Sequence, residues 1–140
     1  MTRALLLVLL SLSLAASAVE PRIAETDARA IRAVVQGQLD ALARNDGAKA
    51  FSYASPGIKA QFGSPEVFMA MVREGYAVML RPAAIRFLAP AIEAGQTIQL
   101  VRLTGDDGRV WVARYVLEKQ KNGVWRIGGC SLTPSADTAT

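Results

Sequence analysis

Few residues of this 140-residue chain could do chemistry. The chain has no histidine and one cysteine, Cys130. Without histidine it lacks the commonest general base and metal ligand, and every Ser–His or Cys–His pairing. Cys130 follows Gly128 and Gly129 in the segment NGVWRIGGCSL, which otherwise resembles a β-strand. We interpret the thiol as a small apolar packing residue rather than a nucleophile, because only Arg114 is predicted to lie near enough to lower its pKa.

The acidic residues are poorly placed for acid–base catalysis. Asp106 and Asp107 lie in a predicted turn, and Asp40 follows Leu39 on the first predicted helix, where solvation is expected. Glu118 belongs to the predicted outer face of the sheet. We therefore predict no catalytic residue, no metal site and no cofactor.

The first 18 residues predict a secretory signal peptide. Arg3 precedes an apolar run from Ala4 to Leu14, and Ala16-Ser17-Ala18 supplies a cleavage motif. The alternative is an uncleaved anchor, but a membrane-spanning helix needs about 20 apolar residues and this run is shorter. We predict cleavage after Ala18 and export, to the periplasm of a bacterium, with no membrane association of the mature chain.

Residues 19–140 suit a single domain. The net charge of +4 is spread along the chain without a run of three basic residues, so no nucleic-acid partner is expected. One cysteine cannot form an internal disulfide, and the fold must depend on its hydrophobic core.

Apolar spacing and turn residues predict helices followed by strands. The helices are predicted from Ile23 to Asn45, from Ala48 to Ala54 with a break at Ser55-Pro56-Gly57, and from Ser64-Pro65 to Arg81-Pro82. In the alternative, Gly75 ends the last of these helices earlier. Four strands are predicted: Ile85 to Ala91, Thr97 to Thr104, Val110 to Gln120, and Val124 to Leu132. A tail from about residue 134 is predicted to be frayed. The predicted fold is α+β, with N-terminal helices packed on a curved antiparallel sheet of about four strands.

The length of the last hairpin loop determines which side chains face the helices. A two-residue loop would set Lys119 opposite Arg126, and these like charges repel. A three-residue loop, Lys121-Asn122-Gly123, instead sets Glu118 opposite Arg126. This register assigns six residues to the helix-facing side: Trp111, Ala113, Tyr115, Leu117, Trp125 and Ile127. It also sets Gly128 and Gly129 opposite Val116 and Tyr115, and places Cys130 on the outer face.

The preceding Asp-Asp-Gly turn is interpreted as an even loop of two or four residues. That loop would add Ile98, Leu100 and Arg102 to the helix-facing side. We then predict a hollow for a small apolar or anionic ligand, since arginine can bind a carboxylate with two hydrogen bonds. The candidate ligand-binding residues are Arg102, Arg81, Tyr115, Tyr76 and Trp111, and Arg86 is a further polar candidate for the hollow. In the alternative, Arg102 only stacks on Trp111 or pairs with Glu74 or Asp40, and the tyrosines are core aromatics.

The same assignment gives the outer face an aliphatic patch. Such a patch on an exported protein predicts contact with another chain, here a homodimer. The predicted interface residues are Val101, Leu103, Val110, Val112 and Val116. In the alternative, the C-terminal tail or a loop covers the patch.

Three segments, AFSYASPGIKAQFGSPEVFMAMV, GYAVMLRP and YVLEKQKNGVWRIGGCSL, resemble a bacterial family catalogued as a domain of unknown function, number 4864. The order of helices and strands also resembles the nuclear-transport-factor-2-like (cystatin-like) cone shared by ketosteroid isomerase and many small binding domains. The resemblance implies the cone fold and export or envelope association. It implies no activity, because the family carries none.

Three functions are therefore open. The first is a non-catalytic exported domain that dimerises and holds a small ligand in the cone. The second is an isomerase- or hydrolase-like enzyme, supported only by analogy of fold. The third is an envelope protein-interaction module that acts through the outer face of the sheet.

Overall fold

The structure, a computed structural model, describes residues 21–138. The predicted signal peptide, residues 1–18, lies outside them. Within the described part of the chain, no helix is long and apolar enough to cross a membrane.

Within residues 21–138, four α-helices come first: α1 Glu25–Ala43, α2 Gly47–Ser52, α3 Pro56–Phe62 and α4 Pro65–Gly75, followed by a 3-10 turn at Ala77–Met79. Ser55 and Ser64 cap α3 and α4, because each hydroxyl accepts a hydrogen bond from the backbone N–H three residues later, and a proline follows each serine. Ser55-Pro56-Gly57 therefore begins a helix, where the sequence analysis placed only a break.

Five β-strands follow: β1 Ala84–Phe87, β2 Ala91–Glu93, β3 Gln96–Thr104, β4 Arg109–Lys119 and β5 Trp125–Thr138. All pairings in the sheet are antiparallel, in the order β1-β3-β4-β5, with β2 paired to the first part of β3. The predicted α+β class is confirmed, and the sheet is open. β5 runs past Leu132, and Pro134 pairs with Trp111, so the tail predicted to be frayed from about residue 134 belongs to the sheet as far as Thr138.

The strand predicted from Ile85 to Ala91 is divided into β1 and β2. Pro90 lies in the gap and cannot donate a ladder hydrogen bond. The buried side chain of Gln99 bridges the gap, since its Nε2 donates to the carbonyl oxygen of Leu88 at 2.6 Å and to that of Leu100 at 2.9 Å. The amide thus gives the carbonyl oxygen of Leu88 a partner, while that of Leu100 also accepts from the backbone N–H of Leu88 at 3.0 Å.

The hydrophobic core lies between the helices and one face of the sheet. Ile31 and Val35 of α1 are fully buried there, and Tyr115 and Leu117 of β4 meet them from the sheet side. Trp111, Ala113, Tyr115, Leu117, Trp125 and Ile127 all belong to this core or pack against it, as predicted. The last hairpin also has the predicted register, with Glu118 opposite Arg126.

The face predicted for β3 is wrong. Val101 pairs with Ala113 and Leu103 with Trp111, so Val101 and Leu103 face the helices and are 0% exposed. Directly opposed residues share a face. The alternating residues, among them Arg102, therefore lie on the outer face with Ile98 and Leu100.

The cause of this error is the length of the β3–β4 loop. The N–H of Gly105 donates to the carbonyl oxygen of Arg109, and the N–H of Gly108 donates to that of Gly105. Three residues, Asp106-Asp107-Gly108, therefore form the loop instead of two or four, and Gly108 takes a φ of +80°. The β4–β5 loop is built the same way, with Gly123 at +84°.

The side chain of Asp27 links the first turn of α1 to the β4–β5 hairpin. Its carboxylate accepts a hydrogen bond from Trp125 Nε1 at 3.0 Å and another from Lys119 Nζ at 3.1 Å. The hydrogen bond from Trp125, followed by that from Lys119, lowers the pKa of Asp27 below its ordinary value.

We expect Gly123→Ala to lower the free energy of unfolding by about 1–2 kcal/mol, because a Cβ disfavours the left-handed backbone. Gly75→Ala is the matched control. Both glycines have open space around an added Cβ, but Gly75 ends α4 without a positive φ. Urea denaturation measures both variants. Equal losses would show that backbone conformation at residue 123 is not the constraint.

Candidate functional site

A cavity of about 550 Å³ lies between the helices and β5. Its apolar side chains come mainly from α1, α3 and α4: Leu42, Ile58, Phe62, Phe68, Met71 and Val72. Four polar side chains also line it: Gln38, Gln61, Tyr76 and Cys130. None of the described residues that line it is charged. Its size lies within the range typical of small-molecule sites.

A β-bulge forms the sheet side of the cavity. Leu117 pairs with Ile127 and Val116 pairs with Gly129, which leaves Gly128 as an extra residue in β5. A Cβ on Gly128 would lie 2.6 Å from Cδ of Glu118, and one on Gly129 would lie 3.9 Å from Cβ of Val116. Since Glu118 and Val116 are outer-face residues, both missing side chains would point away from the cavity. The backbone of the glycine pair forms the wall itself.

The bulge also reverses the predicted position of Cys130. The extra residue shifts the register by one, so that Cys130 rather than Gly129 lies opposite Tyr115. Cys130 therefore faces the helices and lines the cavity, and its predicted place on the outer face is wrong. A bulge is the one local device that changes the face of every following side chain.

The environment of Cys130 makes its thiol unreactive. Burial raises the pKa of Cys130 to about 12, so the group is protonated at neutral pH. Its Sγ makes one weak hydrogen bond to the carbonyl oxygen of Ser131, at 3.8 Å. A protonated thiol is a poor nucleophile and a poor metal ligand.

The two predicted tyrosines have different roles. Tyr76 lines the cavity, and its Oη donates a hydrogen bond to the carbonyl oxygen of Cys130 at 3.2 Å, which joins the end of α4 to β5. Tyr115 is fully buried in the core, opposite Cys130 on the neighbouring strand. Burial raises the pKa of its phenol well above the ordinary value. Its Oη has no hydrogen-bond partner in the part of the chain that the structure describes.

Arg81 and Trp111 line a second pocket, of about 520 Å³, at the end of α1 beside the β3–β4 loop. The guanidinium of Arg109 lies 4.9 Å from the centre of a Trp111 ring. The five predicted ligand-binding residues are thus dispersed: Tyr76 in the first cavity, Arg81 and Trp111 in the second pocket, Tyr115 in the core and Arg102 on the outer face. They do not form one site.

The predicted dimer interface is also divided. Val101 and Leu103 belong to the core, while Val110, Val112 and Val116 lie on the outer face. Val110 is nearly buried, with 4% of its surface exposed. Self-association through this face stays a prediction that rests on the remaining valines.

The residues that α3 contributes to the cavity, including Ile58 and Phe62, are absent from the predicted site. The signal was present, because Ser55-Pro56 has the same capping chemistry as Ser64-Pro65.

Comparison with known proteins gives one match. A model of the family described as Domain of unknown function (DUF4864) matches residues 24–140, which include every helix, strand and pocket described above. No curated protein and no solved structure matches the chain.

Two tyrosine variants test the hydrogen bonds around the cavity. We expect Tyr76→Phe to lower the free energy of unfolding by about 1 kcal/mol, because it removes a hydrogen bond to a backbone carbonyl. Tyr115→Phe removes a buried hydroxyl without a partner, and we expect no loss or a gain of about 1 kcal/mol. Chemical denaturation of both variants measures these changes. An equal loss in Tyr115→Phe would contradict the unpaired state of its hydroxyl.

The raised pKa of Cys130 predicts slow alkylation of the folded protein. At pH 8 we expect iodoacetamide to react roughly a thousandfold more slowly than with the chain unfolded in guanidinium, where the thiol has an ordinary pKa of about 8.5. Because only the thiolate reacts, the folded-state rate is expected to rise with pH to above pH 10. A rate that levels off near pH 9, with the fold intact by circular dichroism, would contradict this prediction.

Proposed function

We propose that this chain, which belongs to the family described as Domain of unknown function (DUF4864), is a binding domain that holds a small, neutral and mainly apolar molecule and catalyses no reaction. The observation that carries the proposal is the cavity of about 550 Å³ between the helices and the glycine wall of β5. Apolar walls with a few polar groups are the usual form of a small-molecule site.

The lining of the cavity favours a neutral ligand over an anionic one. The anionic ligand was predicted from Arg102 and Arg81, but Arg102 lies on the other side of the sheet and Arg81 lines the second pocket. Moving a carboxylate from water to an apolar cavity without a counter-charge costs several kcal/mol or more. A neutral molecule avoids this cost, and Gln38, Gln61 or Tyr76 can hydrogen-bond to one polar group on it.

The same lining favours binding over an isomerase- or hydrolase-like reaction. General acid–base catalysis needs a group that gains and loses a proton near the working pH. The polar side chains that line the cavity are two amides, one phenol and one thiol whose pKa is about 12. The two amides do not titrate, and burial keeps the thiol protonated near pH 7.

Kinship with the nuclear-transport-factor-2-like cone is part of the proposal. It is supported by helices on one face of an open antiparallel sheet, with a cavity between the two layers. Export to the periplasm also remains part of the proposal, and rests on the pattern of residues 1–18.

Two related fluorescent probes test the cavity. N-phenyl-1-naphthylamine is neutral, and 1-anilinonaphthalene-8-sulfonate has the same rings with an added anionic group. We expect the neutral probe to bind at least about tenfold more tightly, which corresponds to 1.4 kcal/mol. Ile58→Trp, which places a larger side chain in the cavity, should weaken binding of the neutral probe by about tenfold.

Val67→Trp is the matched control, because Val67 is 53% exposed and does not line the cavity. It should leave the affinity unchanged, with circular dichroism used to confirm that both variants are folded. The proposal fails if the neutral probe does not bind, if Ile58→Trp and Val67→Trp act alike, or if the sulfonate binds as tightly as the neutral probe.

A further inference from the structure

Four arginines form a diagonal line across the outer face of the sheet, one from each of four strands. We call them the arginine stripe: Arg86 of β1, Arg102 of β3, Arg114 of β4 and Arg126 of β5. Arg86 lies directly opposite Arg102, which in turn lies opposite Val112, two residues before Arg114. Arg126 lies opposite Glu118, further along β4. The stripe is independent of the cavity, which lies on the other side of the sheet.

Aliphatic side chains lie beside the stripe. Leu100, Val112 and Val116 are half-buried, so each presents part of its surface to solvent, while Ile98 and Val110 are buried. The face therefore offers shallow apolar contacts between positive charges.

Among the described strand side chains of this face, arginines outnumber carboxylates. Glu93 pairs with Arg114 at 3.0 Å, and Glu118 is the other carboxylate among the strand side chains described on this side. Arg86 is exposed and forms no ion pair or hydrogen bond with any described side chain. Arg102 already has an interaction within the chain, so Arg86 is the position most open to a partner.

The placement of Arg86 opposite Arg102 is unfavourable for folding. Like charges directly opposite each other on neighbouring strands are destabilising, and Arg86 and Arg102 are such a pair. The stripe also disfavours the predicted homodimer through this face, because two copies placed face to face would bring two sets of arginines together.

We propose that the outer face binds an acidic, partly apolar peptide segment of another protein. Carboxylates of the segment would pair with the arginine stripe, chiefly with Arg86, and its apolar side chains would cover Val112 and Val116. Charge complementarity supplies this argument. The described strand residues of this face include no aromatic side chain on which the bases of a nucleic acid could stack. Its valines are half-buried and do not project as a membrane-inserting surface requires.

A 12-residue fluorescein-labelled peptide of alternating glutamate and leucine is a direct probe. We expect anisotropy to show binding that weakens as salt is raised. Arg86→Glu should lower the affinity about tenfold or more. Arg44→Glu, with the same change of charge at the exposed end of α1, should leave it unchanged. Circular dichroism confirms that both variants are folded.

Comparison probes separate this partner from the alternatives: a lysine–leucine peptide, a glutamate–serine peptide, a 12-residue oligothymidine and vesicles of phosphatidylglycerol. Weak or absent binding of all four supports the proposal. The proposal is overturned if the glutamate–leucine peptide does not bind, if Arg86→Glu and Arg44→Glu act alike, or if any comparison probe binds as tightly. It is also overturned if sedimentation shows a dimer that Val112→Glu dissociates. Because the face and the cavity are separate, each proposal can fail without the other.

Discussion

Two hairpin loops of three residues determine which side chains of the sheet meet the helices. Each loop ends in a glycine with a left-handed backbone, Gly108 or Gly123. An odd loop pairs even-numbered residues with even-numbered ones on the neighbouring strand, and paired residues share a face. The side chains of Val101 and Leu103 therefore lie in the core. On the outer face, valine and arginine alternate along β4 as Val112, Arg114 and Val116. The core, the cavity and the arginine stripe all depend on this parity.

The bulge at Gly128 changes the parity once more, within β5. Without it, glycines would stand opposite Val116 and Tyr115, and the thiol would point to the outer face. The extra residue instead turns Cys130 inward and leaves a stretch of wall without side chains beside α3 and α4. Glycine weakens a strand. A side chain at Gly128 or Gly129 would, however, point to the outer face, where Glu118 already lies close to Gly128. The glycine pair therefore both weakens β5 and forms one wall of the cavity.

Much of the fold could be predicted from the sequence, and the differences lie where the same local chemistry occurs twice. Ser64-Pro65 predicts a helix start, whereas only a break is predicted at Ser55-Pro56, which has the same chemistry and begins α3. Lys121-Asn122-Gly123 is predicted as a three-residue loop, whereas Asp106-Asp107-Gly108, with an acceptor side chain and glycine in the same positions, is predicted as an even loop. The bulge could not have been predicted, because two adjacent glycines do not reveal which residue is extra. The arginine stripe cannot be predicted until the strand register is known, since its members are at least twelve residues apart in the chain.

The hydrogen bond from Trp125 to Asp27 affects the order in which the chain folds. Its indole donor lies 98 residues later in the chain. At a synthesis rate of about 5–20 residues per second, that donor emerges roughly 5–20 s after the carboxylate does. The hydrogen bond between Asp27 and Trp125 therefore forms only after β5 has been made, and contacts of such long separation raise contact order and slow folding. The β4–β5 hairpin thus completes the attachment of α1 through Lys119 and Trp125.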